Sequence, residues 1–328
     1  MKRQYSNFFG MGACALAAAL GGTTAAQAAD AFPTHPIRVI VNTAPGGLTD
    51  VTTRLVAKKM SENLNQSVVV ENRAGGDGLI GLRAVKAAAP DGYTLLASAG
   101  TMALQPSVRE DAGYDLLKDF TGVGLMGRSP FMLVEASSGQ DKSGADFIAR
   151  ATANPGTLSY ASAGVGTVPH LAAAVLFKQL GLNLMHVPYK GNGAAMGDVM
   201  SGRVDVIMEA YGSSGAKVKA GQLTALALTS PKRATVLPDV PALAELGAPE
   251  YSYYTWLGMV APAGTPKEVV DRLSIALRSA LDSTEVQQRF REDGVESLPL
   301  SPDEFNNYMA QEVEKGREVV TYLALPKL

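Results

Sequence analysis

The chain has 328 residues, with 29 Lys and Arg against 31 Asp and Glu, and its formal net charge is −2 at pH 7. This weak charge argues against nucleic acid and anionic membrane as partners, because both select strongly basic proteins. A chain of this length exceeds one typical hydrophobic core and favours two lobes.

The first 28 residues are typical of an export signal. Lys2 and Arg3 supply a positive start, residues 8–20 form a short apolar segment, and Ala26-Gln27-Ala28 offers a small-residue cleavage site. We therefore expect a signal peptide over 1–28, a mature chain from Ala29, and a periplasmic location. Removal of the two basic residues changes the formal charge from −2 to −4.

Cys14 is the one cysteine, and it lies inside the predicted signal. A lipoprotein would be cut before Cys14, but the apolar segment continues to Leu20 and favours ordinary cleavage. The mature chain then has no disulfide, no cysteine-ligated metal and no cysteine nucleophile.

A strand, a glycine-rich turn and a helix open the mature chain. Residues 37–41 are apolar and mostly β-branched, which predicts a buried strand, and apolar residues from Val51 to Met60 recur at helical spacing. The turn between them, 45–50, has glycines for a tight bend and polar residues suited to a helix start. Such a turn directs unpaired N–H groups at one point, which attracts anions such as carboxylates and phosphates.

The same alternation continues through the first half of the chain. Predicted strands at 67–73 and 93–98 flank a glycine-rich segment at 74–78 and a helix at 79–89. We expect a largely parallel sheet covered on both faces. Further strands at 121–126 and 131–134 are expected to lead into a second lobe.

A second glycine-rich turn, about 120 residues after the first, follows a predicted strand at 158–162 and precedes a helix at 171–180. No sequence repeat accompanies it. Because ligands of open α/β sheets sit at the carboxyl ends of strands, two lobes facing each other with such turns would enclose a small anion. Strands and helices are predicted to alternate from there to an amphipathic helical C-terminus.

Several stretches, in order from Pro36 to Leu298, match one family. The chain resembles the periplasmic substrate-binding proteins of tripartite tricarboxylate transporters, the Bug or TctC family. The matching stretches lie at 36–41, 45–50, 69–76, 89–96, 162–171, 187–191, 237–241 and 256–266.

The resemblance implies an α/β fold of the two-lobed periplasmic binding protein type (type II-like), each lobe a mixed, mostly parallel sheet flanked by helices. With the signal peptide at 1–28, we expect lobe 1 at 29–125 plus 252–300, lobe 2 at 126–251, and a C-terminal helix at 301–328 packing across the lobes.

The resemblance also implies a monomer that binds without catalysis, cofactor or metal. Its ligand would be a small organic carboxylate, a di- or tricarboxylate or an aromatic acid, held by backbone amides of both glycine-rich loops and passed to membrane permease subunits. Three departures leave the ligand open: residues 173–175 lack the family's frequent Glu, Gly193 stands where Pro is usual, and Asp77 stands where a small residue is commoner.

We predict sixteen substrate-binding residues: Pro45, Gly46, Gly47, Leu48, Thr49, Asp50, Ser98, Thr101, Ser162, Ala163, Gly164, Gly166, Thr167, His170, Tyr189 and Lys190. Some of them have equally good structural roles.

Asp50 would repel an anionic ligand and suits the start of its own helix. His170 suits a hydrogen-bonded structural position, and Lys190 a solvated surface. The hydroxyls of Ser98 and Thr101 could instead bond within their own turn.

Other classes fit the sequence less well. A serine hydrolase would need an activated serine, and the Gly-x-Ser-x-Gly motif is absent from the sequence. A nicotinamide enzyme would need a third glycine after Gly164 and Gly166. A binding subunit that signals to a sensor kinase remains an alternative, because its binding lobes would look the same.

Overall fold

The computed structural model describes residues 32–327, so the predicted signal peptide and Cys14 lie outside the described residues. The strands are β1 Ile37–Val41, β2 Val68–Asn72, β3 Thr94–Ala99, β4 Phe120–Ala136, β5 Ser159–Ser162, β6 Met185–Pro188, β7 Val206–Ala210, β8 Leu223–Leu228, β9 Tyr254–Pro262 and β10 Glu296–Ser297. The helices are α1 Leu48–Leu64, α2 Leu79–Lys86, α3 Thr101–Val108, α4 Leu116–Asp119, α5 Gly144–Ala153, α6 Val168–Gln179, α7 Asn192–Met200, α8 Tyr211–Lys219, α9 Lys267–Leu281, α10 Thr284–Glu292 and α11 Pro302–Leu323.

The first sheet has the order β2-β1-β3-β9-β4. Its first three strands are parallel, β9 runs antiparallel to β3, and β4 runs antiparallel to β9. Ile37, Val39 and Ile40 are buried, as expected of a strand covered on both faces. The predicted strand and helix alternation is thus present in this lobe.

The second sheet also combines parallel and antiparallel strands. β5 is parallel to β6 and to β7, while β4 is antiparallel to β7 and to β8. Each lobe therefore combines parallel strands with antiparallel neighbours, and the predicted mixed α/β class is confirmed.

β4 belongs to both sheets. The sequence predicts two strands here because Ser129 and Pro130 interrupt the apolar pattern, but the structure has one strand of 17 residues. Residues 120–130 pair with β9, and residues 131–136 pair with β7 and β8. Pro130 stands where the pairing changes, a position at which a missing backbone N–H is tolerated.

Thr229 joins the segments that pass between the lobes. Its buried Oγ1 accepts the N–H of Phe131 at 2.8 Å and donates to the carbonyl of Tyr253. Its backbone N–H donates to the carbonyl of Phe131 at 2.9 Å, and its carbonyl accepts the N–H of Tyr253 at 3.3 Å. One residue thus links β4, the end of β8 and the approach to β9.

The C-terminal helix α11 packs against α3 and β4 and also against α6. Trp256 of β9 donates its indole N–H to Glu312 at 3.0 Å. Lys178 of α6 lies 4.3 Å from the ring centre of Tyr322. The helix therefore contacts both lobes. Among the helices within 32–327, none is long and apolar enough to cross a membrane.

We predict that Thr229→Val lowers the free energy of unfolding by about 1–3 kcal/mol, because it leaves the buried N–H of Phe131 and the half-buried carbonyl of Tyr253 without side-chain partners. Urea unfolding measures this change. The control is Thr152→Val, since Thr152 is exposed and bonds only to its own helix; it should shift stability by less than about 0.5 kcal/mol. Equal effects of the two substitutions would contradict the linking role of Thr229.

Candidate functional site

An open cleft of about 690 Å³ lies between the two sheets. Its wall is built where β1, β2 and β3 of the first lobe and β5 and β6 of the second lobe end. The lining residues are Asn42, Thr43, Ala44, Ala74, Gly75, Gly76, Asp77, Gly78, Ser98, Ala99, Thr101, Ala163, Thr167, Pro169, Lys190 and Gly191. The carboxyl ends of parallel strands thus meet here, which is the usual ligand position in α/β sheets.

Five predicted residues line this cleft. Ser98 and Thr101 come from the first lobe, and Ala163, Thr167 and Lys190 from the second. The other eleven lie outside the lining: Pro45, Gly46, Gly47, Leu48, Thr49, Asp50, Ser162, Gly164, Gly166, His170 and Tyr189.

The first glycine-rich loop, residues 45–50, borders the cleft through its neighbour Ala44. Pro45, Gly46 and Gly47 are exposed, whereas residues 48–50 are buried at the start of α1. Gly46 has a φ of +84°, a conformation that favours glycine.

Asp50 uses part of this loop for itself. Its Oδ2 accepts the N–H of Gly46 at 2.9 Å, and its Oδ1 accepts from Arg54 at 3.0 Å and from Asn72 at 2.8 Å. Burial alone would raise the pKa of Asp50, but these hydrogen bonds hold its pKa below the usual value. The carboxylate therefore ties the loop to β2, and the amide of Gly46 already has an anionic partner.

Two histidines hold the second glycine-rich loop, residues 162–167. Ser162 Oγ lies 2.7 Å from His186 Nε2 and accepts the N–H of Gly164 at 3.1 Å. His170 Nδ1 accepts the N–H of Gly166 at 3.1 Å. The two rings stack with centres 4.1 Å apart. This arrangement requires a neutral His170, because a protonated Nδ1 could not accept a hydrogen bond.

Burial, with a smaller contribution from the charge on His186, lowers the pKa of His170 to about 4. Burial also lowers the pKa of His186. Both directions agree with the geometry, since charged rings could not stack this closely in a buried site without a counter-ion.

Gly166 brings the lobes into contact. Its φ is +76°, and a Cβ added there would lie 2.6 Å from Cγ2 of Val108 at the end of α3. Only a residue without a side chain fits this approach.

The charged groups of the cleft are Lys190 and Asp77. Asp77 pairs with Arg109 at 3.3 Å. Lys190 is exposed, and it has no ion pair with another residue in 32–327. Its neighbour Tyr189 points its hydroxyl at Asp198, 2.7 Å away, and serves α7. The cleft therefore offers one uncompensated positive charge among neutral donors.

The third glycine-rich loop, residues 74–78, contributes five lining residues that the predicted site omits. Gly75, Gly76, Asp77 and Gly78 all have positive φ, and Gln105 of α3 donates to the carbonyl of Asp77 at 2.6 Å. The signal was present in the sequence, because this loop follows β2 as the first loop follows β1. The polar residues directly after β1, Asn42 and Thr43, are a second signal of the same kind.

Within the described residues, no group of three or more His, Cys, Asp and Glu side chains is placed to hold a metal ion. Behind the second glycine-rich loop, Ser162 and His186 form a contact that resembles a nucleophile and its base. Ser162 is fully buried, however, and its hydroxyl bonds within its own loop.

Comparison with known proteins points to one family. Residues 52–325 match the family described as "Tripartite tricarboxylate transporter family receptor". A UPF0065 protein from the tcbD-tcbE intergenic region of Pseudomonas sp. strain P51 is 36% identical over 299 residues, which cover 91% of this chain and 89% of that protein. Protein BugT of Bordetella pertussis is 34% identical over 304 residues, which cover 92% and 93% of the two chains.

Solved structures that resemble this chain point to the same family. The periplasmic binding protein BugD is 32% identical with a TM-score of 0.84, covering 90% of this chain and 100% of BugD. An R. palustris protein with adipate is 31% identical with a TM-score of 0.85, covering 90% and 100%. MatC from Rhodopseudomonas palustris with bound malate is 29% identical with a TM-score of 0.80, covering 88% and 100%. The predicted two-lobed binding-protein fold is confirmed.

We predict that acid weakens the fold through His170. An unfolded histidine has a pKa of about 6.5, so the stability that depends on neutral His170 is full above pH 6.5 and is lost as the pH falls towards 4. The loss between pH 7 and pH 5 should be about 2 kcal/mol, and His170→Asn should remove most of it. Urea unfolding at several pH values measures both.

Two buried acids act in the opposite direction. Burial raises the pKa of Glu135 and of Glu209 to about 7, so their contributions weaken as the pH rises from about 4.5 to 7. Both acids are present in wild type and variant, and the comparison cancels them. Substitution of the exposed His35 by Asn is the control and should keep the wild-type pH dependence. A His170→Asn profile parallel to wild type would contradict the prediction.

Proposed function

Because the chain belongs to the tripartite tricarboxylate transporter receptor family, we propose that it captures a small organic carboxylate and delivers it to the membrane permease of such a transporter. The observation that carries this proposal is the cleft, in which glycine-rich loops from both lobes meet at the carboxyl ends of parallel strands. Backbone N–H groups and helix starts at such a place favour anions.

The lining chemistry supports an anionic ligand of modest charge. Ser98, Thr101 and Thr167 supply hydroxyls, and Lys190 supplies a positive charge that no carboxylate within 32–327 offsets. None of the lining residues is an arginine, so bidentate guanidinium binding is not available from the cleft wall. The relatives solved with adipate and with malate hold dicarboxylates.

The protein would act in the periplasm as a monomer, after removal of residues 1–28. The relative BugD is a periplasmic binding protein. Delivery would require separate permease subunits in the membrane.

Binding without catalysis fits the site better than hydrolysis does. Ser162 is buried, and its partner His186 has no acidic side chain bonded to the second ring nitrogen among the described residues. A sensing role would use the same cleft, and it differs from transport only in the partner that recognises the loaded protein.

The direct test is a thermal-shift screen of mono-, di- and tricarboxylates, both aliphatic and aromatic, against the mature protein. At one hundred times its Kd, a true ligand should add about 2.7 kcal/mol of stability and raise the Tm by several degrees. Nucleotides and sugars serve as controls. Stabilisation by one of these controls, with none by any carboxylate, would refute the proposed ligand class.

A second test uses the first glycine-rich loop. Gly47 has ordinary φ, and its nearest neighbour for an added Cβ is 3.8 Å away, so Gly47→Val should fold normally. We predict a loss of carboxylate affinity of at least tenfold by calorimetry, because the branched side chain would block approach to the loop's backbone. Gly197→Val in α7, where an added Cβ meets open space, is the matched control. Unchanged affinity in Gly47→Val would remove this loop from the site.

A further inference from the structure

A buried carboxyl lies behind the second-lobe wall of the cleft. Glu209 is the next-to-last residue of β7 and is 5% exposed. Because β7 is parallel to β5, its carboxyl end lies at the same edge of the sheet as the end of β5, which faces the cleft. Glu209 is therefore at the ligand end of the second sheet, although it does not line the cleft.

Glu209 joins the starts of two helices. Its Oε1 accepts the N–H of Ala210 at 3.1 Å. The side chains of Asn192, at the start of α7, and of Ser213, in the first turn of α8, also donate to this carboxyl. All three partners are donors, so the ionised form of Glu209 can accept from each of them.

The carboxyl is close enough to the cleft to respond to the charge of a ligand. Gly191 lines the cleft, and the next residue, Asn192, bonds to Glu209. Consecutive Cα atoms are about 3.8 Å apart, so a carboxylate held against Gly191 lies about 10 Å from the Glu209 carboxyl. At this separation inside a protein, one negative charge changes the ionisation equilibrium of another about tenfold.

The elements around Glu209 are mostly apolar. Glu209 shares a face of β7 with Ile207, which packs against α7 and α8, whereas α6 with His170 packs on the opposite face. β4 places the apolar residues 131–134 beside β7. Among residues 32–327, the charged side chain that acts on Glu209 is Lys217 of α8.

These surroundings make the protonation of Glu209 sensitive to added charge. Burial raises the pKa of Glu209 to about 7, while the donated hydrogen bonds and the positive charge of Lys217 oppose this rise. Glu209 therefore divides between its charged and neutral forms near neutral pH, where an exposed glutamate is ionised.

Ser213 provides a route for the proton. This residue is exposed, and its hydroxyl bonds to the Glu209 carboxyl, so one hydroxyl separates the buried group from solvent. A hydroxyl can both donate and accept, and it can therefore pass a proton between water and a carboxylate.

We propose that Glu209 takes up a proton from solvent when an anionic ligand enters the cleft, so that capture of the ligand is coupled to this protonation. The charge of the bound anion favours the neutral carboxyl, and by linkage the neutral carboxyl favours the bound anion. Release of the ligand returns the proton to solvent. This inference rests on the proposed function and adds a proton to what the protein captures.

Calorimetry in two buffers counts the protons. The probe is whichever of malate, adipate and benzoate binds most tightly or, if none of them binds, the carboxylate that stabilises the protein most in the thermal-shift screen. It is titrated at pH 7.5 in HEPES and in Tris, whose ionisation enthalpies differ. We expect an uptake of about 0.5 proton per ligand, and an affinity about fivefold higher at pH 6.5 than at pH 8.5. Burial lowers the pKa of both His170 and His186, so these rings stay neutral at pH 7.5.

Two variants assign the proton. Glu209→Gln keeps the size of the side chain but cannot take up a proton, so uptake should fall below about 0.1 and the pH dependence below about twofold. Glu135→Gln is the matched control, because burial also raises the pKa of Glu135 to about 7. Glu135 lies three residues beyond Met132, the β4 partner of Glu209, and is about 10 Å further from the cleft. This variant should retain the wild-type uptake.

Lys217→Met guards against misfolding of Glu209→Gln. It removes the charge that favours ionised Glu209, so the pH of greatest uptake should rise by about half a unit. Binding without proton uptake in the wild type overturns the inference and leaves carboxylate binding intact. Uptake that persists in folded Glu209→Gln, or that keeps its wild-type pH maximum in Lys217→Met, overturns the assignment to Glu209. Absence of binding by every carboxylate in the screen refutes the proposed function, and the inference falls with it.

Discussion

A single strand shared by two sheets determines the architecture. Because β4 pairs with β9 in one lobe and with β7 and β8 in the other, the two sheets cannot separate without bending that strand. Thr229, which follows β8, makes four hydrogen bonds to Phe131 of β4 and to Tyr253, just before β9. These bonds join the other segments that pass between the lobes to β4. The ends of the parallel strands are thereby held facing each other, and the cleft exists because of this geometry rather than because of any contact across it.

The first and second glycine-rich loops are held in shape by buried side chains that do not line the cleft. Asp50 fixes the first loop through its own charge. His170 fixes the second loop as a neutral acceptor, and His186 contacts the same loop through Ser162. The two loops respond differently to acid, because Asp50 has a lowered pKa and stays charged, whereas His170 holds its loop only while it is unprotonated. A preformed loop loses less conformational entropy when a ligand binds, which suits a protein that must also release it.

The local units were predictable, and their mutual placement was not. A β-branched run followed by glycines predicts strand, turn and helix without further information, and the family motifs predict two lobes. The bond from Ser162 to His186 joins the neighbouring strands β5 and β6, and the bond from Asp50 to Asn72 joins α1 to the end of β2. Both depend on tertiary packing that a single sequence does not show. Likewise, Asn42 is an ordinary polar residue until the packing around Gly78 shows that its oxygen has no donor.

The contact between Gly166 and Val108 affects how closely the two lobes can enclose a small ligand. At this point the backbone of Gly166 in one lobe packs directly against the side chain of Val108 in the other. The lobes can therefore approach closely here. Any larger residue would act as a wedge and leave a gap around a compact solute. A glycine that need not touch the cargo thus limits how closely the lobes approach at this point.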